Sequence, residues 1–205
     1  MSVLAYEERL AGNGRDALRE GSMHFERESA VFKSLERIAA KLATLGVPYA
    51  VVGGMALFLH GYRRFTEDVD VLVSREGLKQ LHDELEGRGW IPPFAGSKNL
   101  RDTETGVRIE FLVAGDYPGD GKPKPVAFPE PGAVAEPIDG IACLPLATLV
   151  ELKLASGTSP GRLRDLADVQ ELIRHLHLRR DFADRLDPSV RERYCELWDG
   201  LQELG

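Results

Sequence analysis

Two aspartates at alternate positions of one apolar segment have the clearest chemical potential in this sequence. Asp68 and Asp70 flank Val69 in the segment Asp68–Val73, whose alternation predicts a β-strand. Alternate residues of a strand point to the same face, so the two carboxylates lie side by side and repel one another. A divalent cation such as Mg²⁺, shared with substrate phosphates, would neutralise them. A pair of acids that only solvates an exposed strand face is the alternative interpretation.

A pair of glycines precedes these acids. Gly53 and Gly54 follow the apolar segment Tyr49–Val52, which predicts a buried strand, and precede a short predicted helix, Met55–His60. Glycines between a strand and a helix let backbone N–H groups approach an anion at the helix N-terminus. The pattern therefore predicts a turn that binds a polyphosphate.

A third acid is predicted from a hairpin further along the chain. Segment 101–114 indicates two strands joined by the turn Glu104-Thr-Gly106, and Glu110 lies on the more polar face of the second strand. Glu110 is the candidate for a third metal ligand. Asp102, on the first strand, is the substitute candidate.

Two polar residues lead into the strand that carries the aspartates. Thr66 alternates onto the face of Asp68, where its hydroxyl would hydrogen-bond a metal ligand. Arg64 would brace the carboxylates or a phosphate. Solvation of a loop is the alternative for both residues.

A lysine lies on a helix face that is expected to be buried. Lys153 belongs to the predicted helix Leu146–Ser156, and it either extends its ammonium to the protein edge or points at an anion in a cleft. Asp165 and Asp168 share one face of the next predicted helix, 161–178. They would position Lys153 or an acceptor, or pair with nearby arginines.

These segments together resemble the nucleotidyltransferase superfamily of the DNA polymerase beta type. They are most similar to its bacterial branch of minimal nucleotidyltransferases, which is related to the AbiEii toxins. The residues that carry the resemblance are Gly53-Gly54, His60-Gly61 and Arg64-Phe-Thr-Glu-Asp-Val-Asp70. The resemblance covers roughly residues 30–175. The chain departs from the pattern at its Gly-Gly turn, where many active relatives have Gly-Ser, at Glu110, where Asp is commoner, and at Arg164, which replaces a lysine.

The resemblance implies a Mg²⁺-dependent transfer of a nucleoside monophosphate from an NTP such as ATP to an acceptor hydroxyl, with release of pyrophosphate. It assigns two Mg²⁺ ions, with Mn²⁺ as the alternative metal, to Asp68, Asp70 and Glu110. The residues that would contact the nucleotide are Gly53, Gly54, Arg64, Thr66 and Lys153, with Asp165 and Asp168 behind them.

The resemblance leaves the acceptor and the biological role open. The acceptor would be a tRNA end, a protein hydroxyl or a small molecule, and a toxin role would imply a cognate antitoxin as partner. Two other classes stay as alternatives: a catalytically degenerate protein that binds a nucleotide or a partner, and a metal-dependent phosphohydrolase.

The alternation of predicted strands and helices indicates a sheet with helices on its faces. The resemblance implies an α/β nucleotidyltransferase fold, with a small mixed β-sheet flanked by helices and a C-terminal helical section that closes over the site. The expected divisions are an N-terminal arm at 1–25, the core at 26–140 and the helical section at 141–205. The arm is polar and contains three glycines, so it is expected to attach loosely, with a helix around Leu4 to Ala11.

Prolines and helix caps give further expectations. Eight of the 12 prolines fall between Pro92 and Pro137, which predicts a long surface connection that is ordered against a partner or substrate.

Further on, Ser159 is expected to cap the helix that begins at Pro160.

The composition is that of a soluble globular chain. Of 205 residues, 43% are hydrophobic and 29% are charged, and 26 Lys and Arg against 33 Asp and Glu give a net charge of −7. The excess of acid argues against an extended DNA-binding surface. The apolar runs are far shorter than the roughly 20 residues of a membrane span, and the first residues lack the bases of a signal peptide. We therefore expect a cytoplasmic protein without a membrane segment.

Overall fold

A seven-stranded mixed sheet lies at the centre of the computed structural model, which describes residues 5–203. The strands are β1 (Tyr49–Val51), β2 (Asp68–Val73), β3 (Trp90–Ile91), β4 (Leu100–Asp102), β5 (Arg108–Val113), β6 (Glu136–Ile138) and β7 (Ile141–Cys143). Their order across the sheet is β3-β4-β5-β2-β1-β7-β6. The expected mixed sheet and the predicted β4–β5 hairpin are confirmed, whereas β3, β6 and β7 were not predicted.

Helices cover the faces of the sheet and form the C-terminal section. They are α1 (Tyr6–Gly12), α2 (Gly14–Phe25), α3 (Ala30–Leu45), α4 (Gly53–Leu59), α5 (Arg75–Leu85), α6 (Pro131–Val134), α7 (Leu146–Ser156), α8 (Leu163–His175) and α9 (Pro188–Gln202), with a 3-10 helix at Arg180–Arg185. Among the residues described, no helix has both the length and the apolar composition of a membrane span.

Strand β2 is the element around which the sheet is built. It pairs with β1 in antiparallel and with β5 in parallel orientation. Its apolar residues Val69 and Val71 are fully buried, so its acids lie on the opposite face. In the parallel register, Asp68 is opposite Arg108 and Asp70 is opposite Glu110. The pairing therefore brings charged side chains of two strands onto one face.

Helix α3 shows how local sequence signals fix an element against this sheet. The Ser29 hydroxyl accepts the backbone N–H of Phe32 at the N-terminus, and Gly46, with φ 65°, ends the helix in a left-handed conformation. The apolar face, which includes Leu35 and Leu42, is fully buried and packs toward β2 and β7. This predicted helix is confirmed.

The expectation of a loosely attached N-terminal arm is wrong. Tyr6 is fully buried, and its backbone N–H donates to the carbonyl of Gly106 at 3.1 Å. Glu7 pairs with Arg101 at 2.8 Å. A few buried contacts thus anchor two short helices whose average composition is polar. Leu4, the expected start of the first helix, lies outside the described residues.

The C-terminal helices α7, α8 and α9 pack on one another. Helix α7 has its predicted bounds. The expected cap at Ser159 is wrong, because α8 begins later, with Arg162 at its N-cap position. Gly161 adopts φ 79°, a left-handed conformation that is incompatible with the first turn of a helix. Ser159 instead belongs to a turn, in which its N–H donates to the carbonyl of Ser156.

Candidate active site

The three predicted metal ligands converge on one face of the sheet. Asp68, Asp70 and Glu110 each offer a carboxylate oxygen, and these oxygens lie within 4.8 Å of one another. Hard oxygen donors at this spacing fit a divalent cation such as Mg²⁺ or Mn²⁺. The substitute candidate, Asp102, lies elsewhere: it is fully buried on β4 and accepts a hydrogen bond from Arg37 at 3.0 Å.

Burial and electrostatic repulsion within this acidic cluster perturb Asp70. Burial raises the pKa of Asp70 to about 7, and the negative charges of Asp68 and Glu110 add to the effect. The charge of Lys153 and a hydrogen bond from the backbone N–H of Gly54 lower that pKa by smaller amounts. A bound cation would remove the repulsion, so the electrostatics agree with a metal-binding role.

The glycine turn makes room for the residues around the cluster. Gly53 has φ 59°, and a Cβ atom at this position would overlap the carboxylate of Asp70. A Cβ on Gly54 would overlap the side chain of Thr66. The turn therefore needs both glycines for the close approach of β2 and of the segment before it, in addition to any contact with phosphate.

Thr66 holds one of the acids in place. Its hydroxyl donates to Asp68 Oδ1 at 2.9 Å, and the side chain is buried. The hydrogen bond predicted from the strand alternation is confirmed.

Arg108 is a member of the site that was not predicted from the sequence. Its Nη2 lies 2.6 Å from Glu110 Oε1 and 3.5 Å from Asp68 Oδ2. The alternation of β5 already placed Arg108 on the face of Glu110. Only the register with β2 shows that it also lies beside Asp68.

Lys153 is buried in a network of ion pairs. Its Nζ donates to Asp168 Oδ2 at 2.7 Å and to Asp165 Oδ1 at 3.0 Å. Burial raises the pKa of Asp165, but Lys153 and a hydrogen bond from Ser156 outweigh it, so the pKa is lowered overall. The alternative in which the ammonium extends to the protein edge therefore does not apply.

Arg64 belongs to the same network rather than to the acidic cluster. Its Nε lies 3.1 Å from Asp168 Oδ1, and it links the segment before β2 to helix α8. His24 Nε2 hydrogen-bonds the carbonyl of Arg64 at 3.1 Å, so the N-terminal arm supports this link. Of the sequence-predicted residues, Arg64 is the one whose side chain lies away from its expected carboxylate partners.

A cavity of about 710 Å³ connects the acidic cluster with the lysine. Asp70, Glu110 and Lys153 line its polar side, and Tyr117 and Phe128 line another part of the wall. The proline-rich segment, predicted as a surface connection, thus forms part of the cavity wall. A space of this size, with charged and aromatic walls, can hold a small-molecule substrate.

No protein-family model matches the chain, and no curated protein matches it. Among solved structures, ANT(2")-Ia in complex with adenylyl-2"-tobramycin superposes with a TM-score of 0.51 at 12% identity, over 81% of this chain and 97% of that chain. The chain has a nucleotidyltransferase fold.

Two further solved structures are similar to this nucleotidyltransferase fold over much of its length. JHP933 from Helicobacter pylori has a TM-score of 0.44 at 20% identity, over 75% of this chain and 70% of that chain. A putative nucleotidyltransferase from H. pylori has a TM-score of 0.43 at 19% identity, over 80% of this chain and 89% of that chain.

Proposed function

We propose that this chain is a metal-dependent nucleotidyltransferase, which moves a nucleoside monophosphate from an NTP to an acceptor hydroxyl. The observation that carries the proposal is the convergence of Asp68, Asp70 and Glu110 at a cavity that also contains a buried lysine. Adjacent carboxylates that face a cation across a cavity suit a substrate with several phosphates.

The acidic cluster would hold two Mg²⁺ ions, or Mn²⁺ in their place, through Asp68, Asp70 and Glu110. When bound, such ions lower the pKa of an acceptor hydroxyl and neutralise phosphate charge. Thr66 orients Asp68 through its 2.9 Å hydrogen bond. The acceptor oxygen would attack the α-phosphorus, the bond from that phosphorus to the bridging oxygen would break, pyrophosphate would leave, and the hydroxyl proton would pass to water.

Lys153 would contact the triphosphate. An ammonium has three N–H donors, and Lys153 uses two of them on Asp165 and Asp168. The third is available to a phosphate oxygen, while the two aspartates hold the side chain in place. Gly53 and Gly54 would contribute backbone N–H groups. For Arg64 the ion pair with Asp168 supports a positioning role.

The resemblance to the AbiEii branch adds finer elements to the proposal. It favours ATP or another NTP as donor, a tRNA or protein as acceptor, and a cytoplasmic toxin with a cognate antitoxin. The division into an arm at 1–25, a core at 26–140 and a helical section at 141–205 belongs to the same proposal.

Labelled nucleotides test the proposed reaction. The purified chain is incubated in cell extract with Mg²⁺ and each α-labelled NTP in turn, and label is followed on RNA, on protein and in free monophosphate. We expect label on one macromolecule with the wild type, loss of at least 100-fold with Asp70→Asn, and no loss with Asp83→Asn, an exposed acid on α5. Label released only as monophosphate would indicate a phosphohydrolase, and no turnover with any NTP would indicate a binding protein.

A further inference from the structure

Arg108 is the one cation in direct contact with the acidic cluster in residues 5–203. Its guanidinium lies 2.6 Å from Glu110 and 3.5 Å from Asp68. These are two of the three carboxylates that would hold a metal ion. A guanidinium and a divalent cation both bind carboxylate oxygens, so they compete for the same lone pairs and repel one another.

Arg108 is held less firmly than Lys153. Its side chain is 40% exposed, compared with 8% for Lys153. Its Nε has no hydrogen-bond partner in the described structure, so the contacts of the guanidinium are the two to Glu110 and Asp68. Arg108 can therefore turn toward solvent without breaking a buried network, whereas Lys153 cannot.

We propose that Arg108 is an internal counter-cation that competes with a divalent metal ion for Asp68 and Glu110. This inference rests on the proposed function, because it concerns the same acidic cluster. With all groups ionised, three carboxylates and one guanidinium carry two net negative charges, which a single divalent ion cancels. A second divalent ion then gains little unless phosphates arrive with it. Arg108 thus sets the affinity of the cluster for free metal ions and prevents tight binding before the triphosphate is present.

The competition predicts the sign of a substitution. Arg108→Gln keeps a polar side chain of similar length but removes the charge, and we expect it to bind Mn²⁺ about tenfold more tightly than the wild type. Arg108→Lys keeps the charge, and its affinity is expected to stay within about threefold of the wild type. If Arg108 served only to orient Glu110, Arg108→Gln would bind Mn²⁺ more weakly.

Electron paramagnetic resonance of free Mn²⁺ measures these affinities on the full chain, after chelation and dialysis. Arg193→Gln, a substitution of an exposed arginine that pairs with Glu196 on α9, is the matched control and is expected to leave the affinity unchanged. Circular dichroism confirms that each variant is folded. Equal or weaker Mn²⁺ binding by Arg108→Gln overturns the inference.

A double variant separates this inference from the proposed function. When Asp68→Asn is added to Arg108→Gln, we expect the double variant to bind Mn²⁺ at least tenfold more weakly than Arg108→Gln alone. That loss would place the ion at the acidic cluster. If Asp68→Asn has no effect, the ion lies elsewhere, and both the inference and the proposed function fail. If Asp68→Asn removes binding but Arg108→Gln equals the wild type, only the role of Arg108 fails.

Discussion

At the level of single residues, Asp70 shows that the site opposes the stability of the fold. Its carboxylate lies beside those of Asp68, on the same strand, and Glu110, on the adjacent strand. Burial, together with repulsion from these two acids, raises the pKa of Asp70 from 3.8 to about 7. The folded state therefore holds a proton more tightly than the unfolded chain does. Stability from this group is fully present below pH 4 and is lost as the pH rises through 7.

Asp70→Asn is accordingly expected to stabilise the metal-free protein. Asn keeps the shape and the acceptor for the Gly54 N–H but carries no charge. At pH 8 in EDTA, we expect the free energy of unfolding in urea to rise by up to about 4 kcal/mol. At pH 5 the gain should be smaller, because the wild-type carboxyl is then largely protonated. Asp83→Asn is the control, and a variant no more stable than the wild type at pH 8 would contradict the prediction.

Gly53 allows a second test at the residue scale, because the chain contains a matched control. Gly53 and Gly46 have φ values of 59° and 65°, but a Cβ on Gly53 meets Asp70, whereas a Cβ on Gly46 has no atom within 4 Å. Gly46→Ala should cost about 1 kcal/mol, from backbone strain alone. Gly53→Ala should cost about 2 kcal/mol more, because of overlap. Urea denaturation measures both, and equal losses would show that the turn tolerates a side chain.

At the level of elements, the sequence predicts the strands and helices near the site better than it predicts their pairing. The alternation in Asp68–Val73 and the apolar run at Tyr49–Val52 predict β2 and β1 because both are buried strands with strong local patterns. The contact of Arg108 with Asp68 depends on the register of β2 and β5, which lie far apart in the chain. No local pattern encodes such a register.

Three short strands, and the firm attachment of the N-terminal helices, were missed for a different reason. Strand β3 contains two residues and β7 contains three, so neither is long enough to show a period. Helices α1 and α2 are polar on average, and their attachment depends on a few buried side chains such as Tyr6 and His24. The average composition therefore predicted a loosely attached arm, whereas a few specific contacts hold the arm in place.

Helices α7 and α8 are joined to the segment before β2 through Asp168, which pairs with both Lys153 and Arg64. Removing one member of a buried ion-pair network leaves the others without compensation. Asp168→Asn is expected to lower the free energy of unfolding by about 3 kcal/mol. Asp181→Asn, which removes an acid paired with Arg179 at the exposed surface, is expected to change it by less than about 0.5 kcal/mol. Thermal and urea unfolding compare the two, and equal effects would argue against a buried network.

At the level of the whole molecule, the net charge of −7 does not describe the charge at the cavity. Lys153 and Arg162 line the cavity beside Asp165, so positive groups outnumber acids in that part of the wall. The acids of β2 and β5 lie on the other side. Under the proposed function, a triphosphate with metal ions would lie between these two regions, so an acidic protein would still accommodate a polyanion.

Substitutions in the N-terminal arm test whether the arm packs as part of the folded molecule. Tyr6 is fully buried, whereas Leu18, on the adjoining helix α2, is 76% exposed. Tyr6→Ala leaves a cavity and is expected to lower the free energy of unfolding by about 3 kcal/mol. Leu18→Ala should change it by less than about 0.5 kcal/mol. Because His24 in the same arm bonds the carbonyl of Arg64, Tyr6→Ala should also speed amide hydrogen exchange around residues 62–66. If Tyr6→Ala changes neither the free energy of unfolding nor the exchange rates, the arm is loosely attached, as its composition suggested.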